Sequence, residues 1–83
     1  MLQNYPNPFN PKTIIQYSIP IDGSVKLIVF DMLGREVKTL VNSWKSKGMH
    51  SVEFNASLLS SGMYFYRLES VNYVKTMKMI VSK

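Results

Sequence analysis

Apolar residues recur at every second position through most of this chain, in short blocks, and a period of two predicts strands. In 13–19, Ile15, Tyr17 and Ile19 share one face; in 24–31, Val25, Leu27 and Val29 do the same. Pro20-Ile21-Asp22-Gly23 between them carries Asp-Gly, a strong turn signal. A third strand is predicted over about 35–41, after the turn Asp31-Met32-Leu33-Gly34, where Gly34 can accept a positive φ. In 48–55, His50, Val52 and Phe54 point one way and Met49, Ser51 and Glu53 the other. A fifth strand runs over 63–70 with Tyr64, Tyr66 and Leu68 on one side, and a sixth over 73–81 follows through Val71-Asn72.

The stretch 55–62 breaks the alternation with turn-formers around Leu58 and Leu59, which predicts a crossing between sheets with one of the two leucines plugging the core. Short strands at this spacing predict a small all-β domain, an antiparallel sandwich of about six to seven strands. Its predicted core joins Tyr64, Tyr66 and Leu68 to Val25, Leu27, Val29, Val52 and Phe54. Ile28, Phe30, Leu40, Phe65 and Ile80 fall on the opposite faces. That is more apolar material than a solvated face carries, and it calls for loop cover, strand-end twist or a docking partner.

Ahead of the strands stands Tyr5-Pro6-Asn7-Pro8-Phe9-Asn10-Pro11. Each proline fixes its own φ and pushes its predecessor out of the helical region, so this segment is extended and cannot be a central strand. Residues 1–12 are therefore a Pro-rich lead-in joined to a domain over 13–83.

Composition narrows the function more than the fold. The 83 residues include no cysteine and one histidine, which leaves neither a disulfide nor a thiolate or histidine-cluster metal site, and no cofactor is expected. Hydrophobic residues make up 46% and charged residues 18%, the balance of a packed domain. The net charge of +5 comes from dispersed lysines, with Arg35 and Arg67 far apart in sequence. A nucleic-acid footprint needs clustering, so no nucleic-acid partner is expected. No signal-peptide core or membrane-spanning run is present.

Catalysis finds no support. Asp22, Asp31, Glu36, Glu53 and Glu69 are scattered, and His50 alternates with core residues as a rim histidine would. Ser57, Ser60 and Ser61 sit in a turn-rich loop without a nucleophile elbow, so capping is their expected role. Neither an enzyme nor a small-molecule substrate is expected. Asn55-Ala56-Ser57 matches a glycosylation sequon, a weak pattern that turn formation explains. Trp44, Tyr64, Phe65 and Tyr66 offer the makings of a sugar-stacking platform, yet Tyr64 and Tyr66 must face away from Phe65.

Four motifs nevertheless occur in a recognisable order: Asn4-Tyr5-Pro6-Asn7-Pro8-Phe9-Asn10-Pro11, Asp31-Met32-Leu33-Gly34-Arg35-Glu36-Val37, Leu59-Ser60-Ser61-Gly62-Met63-Tyr64-Phe65-Tyr66-Arg67-Leu68, and Lys75-Thr76-Met77-Lys78-Met79. Together they resemble the C-terminal sorting domain of the type IX, or Por, secretion system, of type A. The resemblance spans about 2–83. It implies an immunoglobulin-like sandwich at the C-terminus of a secreted or cell-surface protein from a Bacteroidetes-like bacterium. The parent would reach the periplasm on a cleavable leader, and this domain would direct it to the outer-membrane translocon. A sortase-like cysteine protease would then remove the domain, with the cargo released or attached to the surface. By motif match, the implied recognition positions are Lys75, Lys78, Met79, Ile80, Val81, Ser82 and Lys83. The implied motif and turn positions are Pro6, Pro8, Pro11, Gly34, Arg35, Gly62 and Tyr64. The alternative is a structural or adhesive immunoglobulin-like module on an extracellular enzyme, or a carbohydrate-binding module.

Overall fold

Period-two sequence becomes period-two burial. In a computed structural model describing residues 1, 3, 4 and 12–82, the strands are β1 (Lys12–Ile19), β2 (Gly23–Phe30), β3 (Glu36–Lys45), β4 (Gly48–Asn55), β5 (Gly62–Ser70) and β6 (Tyr73–Val81). β1 and β4 pair as one antiparallel sheet; the other runs β3-β2-β5-β6. The sheets pack face to face around Ile15, Tyr17, Ile19, Val25, Leu27, Val29, Phe54, Tyr66, Leu68, Met79 and Val81, all buried. Every residue predicted for the core lies in it or, for Val52, packs half-buried against it.

The connections fix the topology. β1 to β2, β3 to β4 and β4 to β5 each cross between the sheets. With β1 and β4 read as strands B and E, and β3-β2-β5-β6 as C′-C-F-G, this is the strand order of an immunoglobulin-like sandwich. A local signature agrees. Tyr64, near the start of β5, donates its hydroxyl to the Ser60 carbonyl at 2.8 Å, the tyrosine corner found where E passes to F in that fold.

Three details depart from expectation. The third strand runs to Lys45, past the predicted end near Val41. It carries two register shifts: Leu27 faces Val41 while Ile28 faces Thr39, and Val29 faces Lys38 while Phe30 faces Glu36. The residues skipped are Leu40 and Val37, and both pack against the core. Strict alternation had put Leu40 on the outer face; a β-bulge resets the phase, and period counting cannot see one. In the crossing loop, Leu59 packs half-buried against the core, as expected of one of the two leucines, but the fully buried residue there is Ala56, and Leu58 is 98% exposed. The outer face of the larger sheet is covered in part by its own side chains. The Arg67 guanidinium lies 4.5 Å from the Phe30 ring centroid and its Nε donates to Glu69 at 2.7 Å, so a paired cation roofs the aromatic ring.

Gln3 and Asn4, ahead of β1, take part in the fold. Asn4, only 2% exposed, donates its backbone N–H to the Tyr66 hydroxyl at 2.9 Å and its side-chain amide to Thr13 Oγ1 at 2.9 Å. Gln3 Nε2 donates to Asn4 Oδ1 and to the Lys78 carbonyl, at 2.7 and 2.8 Å. Buried polar groups must be paired, and this set is paired internally.

Two truncations test the core. Tyr66→Ala and Phe54→Ala are each expected to lose about 3 to 5 kcal/mol in urea unfolding, a large share of the roughly 4 to 12 kcal/mol available to a domain this size. Tyr66→Phe is expected to lose about 1 to 3 kcal/mol by leaving the Asn4 N–H buried without its acceptor. Tolerance of all three would remove Tyr66 from the centre of the core.

Candidate functional site

Most of the motif positions converge on one end of the larger sheet. β5 and β6 pair with Gly62 opposite Val81, Met63 opposite Ile80, Tyr64 opposite Met79 and Phe65 opposite Lys78. Gly62 and Tyr64 are thus the direct neighbours of the terminal segment across a single ladder. Within β6 the phase divides the residues: Met77, Met79 and Val81 turn inward onto the core, and Lys78 and Ile80 face out. The outward pair stands beside Phe65 and Met63, so a cation and an apolar side chain alternate on an accessible strand.

The β2–β3 turn is built by one carboxylate. Gly34 N–H donates to the Asp31 carbonyl and Asp31 N–H to the Arg35 carbonyl, both at 3.0 Å. Asp31 Oδ1 accepts the backbone N–H groups of Leu33 and Arg35 at 2.9 and 3.0 Å, and Oδ2 accepts Arg35 Nε at 2.8 Å. The backbone N–H of Arg35, then its side chain and the Leu33 N–H, hold the Asp31 carboxyl below the usual carboxylate range. Gly34 has φ +81, and a Cβ there would meet nothing within 4 Å, so the glycine answers a backbone demand rather than a crowding one. At Gly62, φ is +151, also on the glycine side of the map.

This locked turn displays Met32 and Leu33 to solvent. Together with Asp31, Arg35, Met63 and Tyr64 they line an open groove of about 200 Å³. The second and third sequence motifs therefore share one surface depression, next to the end of β6.

Not every expected position joins it. Lys75 faces Leu68, toward the hairpin at the other end of β6. Ser82 is exposed beyond β6. Pro6, Pro8, Pro11 and Lys83 lie outside the described residues. Trp44 and Phe65 do not form a sugar platform: they stand opposite Ser24 and Phe30, which are six residues apart on β2, or about 20 Å. Among the described residues no group of three or more His, Asp or Glu side chains could hold a metal ion.

Sequence reading gave Asp31 no role beyond a turn context, although Asp three residues before Gly is a detectable turn signature. It missed Gln3 and Asn4 as well. Their partners are far away in sequence, and no local signal marks such a pairing.

The sequence family described as the secretion system C-terminal sorting domain matches residues 3–82. This chain belongs to that family. The sorting domain of type IX secretion is all-β here, and the family places its bearer on a route across the outer membrane to the medium or the cell surface. No curated protein and no solved structure matches the chain.

Two variants of the turn separate strain from charge. Gly34→Ala is expected to lose about 1 kcal/mol of stability, all of it backbone strain, since the added methyl has open space; unchanged unfolding would refute the strain. For Asp31 the folded-state pKa lies below the unfolded one. Its contribution is therefore complete above the ordinary value of about 3.9 and disappears as pH falls through the lower folded value. Asp31→Asn should melt below the wild type at neutral pH, and the two melting temperatures should converge in acid. A gap that persists undiminished at the lowest pH would assign the loss to geometry alone.

Proposed function

We propose that this sorting domain is read through the outward side of β6 and the adjoining turn groove. In this reading it carries a fused, larger periplasmic cargo to the type IX translocon. The observation that carries the reading is the ladder pairing Gly62 and Tyr64 with Val81 and Met79. It puts 79–81 in a fixed strand, with Lys78 and Ile80 facing outward and Met79 and Val81 holding the strand in place; Ser82 is exposed just beyond it. Such a surface offers a receptor a charge and an apolar side chain at once. In this reading Lys75 is reached at the far end of the same strand.

Arg35, Gly34, Gly62 and Tyr64 are assigned to shaping this end of the sandwich: the first two lock the turn, Tyr64 closes the corner, and Gly62 begins the strand that pairs with Val81. The domain itself performs no chemistry. Removal by a sortase-like cysteine protease, followed by release or surface attachment of the cargo, would be the work of its partners. A structural or adhesive module on an extracellular enzyme makes the contrary forecast, that a fused reporter stays in the periplasm.

The test uses residues 1–83 fused behind a periplasmic reporter in a host with type IX secretion. Deleting 80–83 confounds folding with recognition, because Val81 is buried. Lys78→Glu with Ile80→Ser, both on the outward face, is expected to leave the melting temperature within a few degrees while cutting export at least tenfold. Export at the full rate by the folded double variant would remove the outward side of β6 from recognition. Retention of the unaltered fusion in the periplasm would overturn the sorting role itself.

A further inference from the structure

A two-sheet sandwich has four lateral strand edges, and three of them are guarded here. β3 is broken by its two bulges at Leu40 and Val37, which twist an edge away from partners. On β6 the Gln3 side chain already occupies the Lys78 carbonyl, and Lys75, in the inward phase opposite Leu68, sets a charge at that edge. β1 has Asn4 beside it, bonded to Thr13. β4 differs. It pairs with β1 in unbroken register along its whole length, without bulge or proline, and no described residue pairs with its other edge over 48–53.

The interior is also open on that side. His50 and Val52 face Tyr17 and Ile15 across the ladder. The two β1 residues are wholly buried, whereas the two β4 residues are only half-buried. Further along, a slot of about 190 Å³ opens between the sheets, lined by Val37, Lys38, Phe54, Leu58 and Leu59. Leu58, almost fully exposed, stands at its rim. A two-stranded sheet is the least stable unit of its kind, and a third strand would be stabilising.

Charge selects the occupant. Lys38, Lys45 and Lys47 lie on β3 and the β3–β4 turn along this flank, and none is in an ion pair among the described residues. Glu36 is engaged by the Thr39 hydroxyl at 2.6 Å, and Glu53 stands 3.9 Å from Lys12. A second copy of the chain would bring like charge to like charge. We propose that the edge of β4 over 48–53 is a strand-addition site for an acidic, extended segment of a partner protein, which becomes the third strand of the smaller sheet and seats one apolar side chain in the slot beside Leu58 and Leu59. Backbone pairing would supply affinity, and the slot and the lysines would supply selectivity.

The test is a titration of isotopically labelled domain with a capped heptapeptide alternating glutamate with valine and leucine, beside its lysine counterpart and a version with proline at the centre. The acidic peptide is expected to shift amides over 48–53 and at Leu58 and Leu59, and to slow hydrogen exchange in β4. It should bind at least tenfold tighter than the lysine peptide at low salt, with the difference shrinking as salt is raised. The proline version should lose binding, because it breaks the added ladder. Lys38→Glu, at an exposed position, should reduce the acidic peptide's advantage at least fivefold with an unchanged melting temperature. Shifts confined to β6, no shifts, equal affinity for both charges, or self-association through 48–53 in place of peptide binding would each overturn the proposal.

Discussion

The phenol of Tyr66 is the contact on which the rest of this sandwich depends. Immunoglobulin domains of antibodies join their sheets by a disulfide whose second cysteine stands two residues after the corner tyrosine. This chain has no cysteine, and two residues after the corner Tyr64 stands Tyr66, wholly buried. Its ring fills the space between the sheets, and its hydroxyl, with the proton held more tightly because of burial, is the acceptor for the Asn4 N–H. A covalent tie is thereby replaced by packing plus one polar contact that reaches the lead-in. The replacement suits a domain that must fold without depending on the redox state of its surroundings.

How much of this could be read from the chain follows from what alternation records. Period two reports which face is buried, so the inward sets on β1, β2 and β5 emerged from the sequence intact. It does not report insertions, and so Leu40 was put on the wrong face. Nor does it rank neighbouring apolar residues in an irregular loop, where Ala56 is buried and Leu58 is not. The turn at Gly34 was legible because glycine answers a local backbone need, and the carboxylate clamp of Asp31 could have been. The Asn4–Tyr66 contact could not, since it joins residues 62 apart. At the candidate site, the motifs were visible as four separate words. Only strand pairing shows that the third and fourth are one ladder, and that Lys75 belongs to its other end.

This arrangement divides labour inside one strand. Residues of β6 that face inward contribute to stability and those that face outward are exposed, so the outward surface exists only when the sandwich is closed. A denatured chain carries the same letters and presents no surface. Fold and outward surface are coupled by the period of a strand rather than by any special device, and the exposed Met32 and Leu33 are displayed by the hydrogen-bonded turn beneath them.

The seating of Gln3 on the Lys78 carbonyl and of Asn4 on Tyr66 has a mechanical meaning. Tension arriving along the chain from the N-terminal side meets Met1, packed on the core, and then these bonds, which pass it to β6 and β5 and, through Thr13, to β1. The strand that bears the outward face is thereby also the one through which a hauled cargo would tug on its own label.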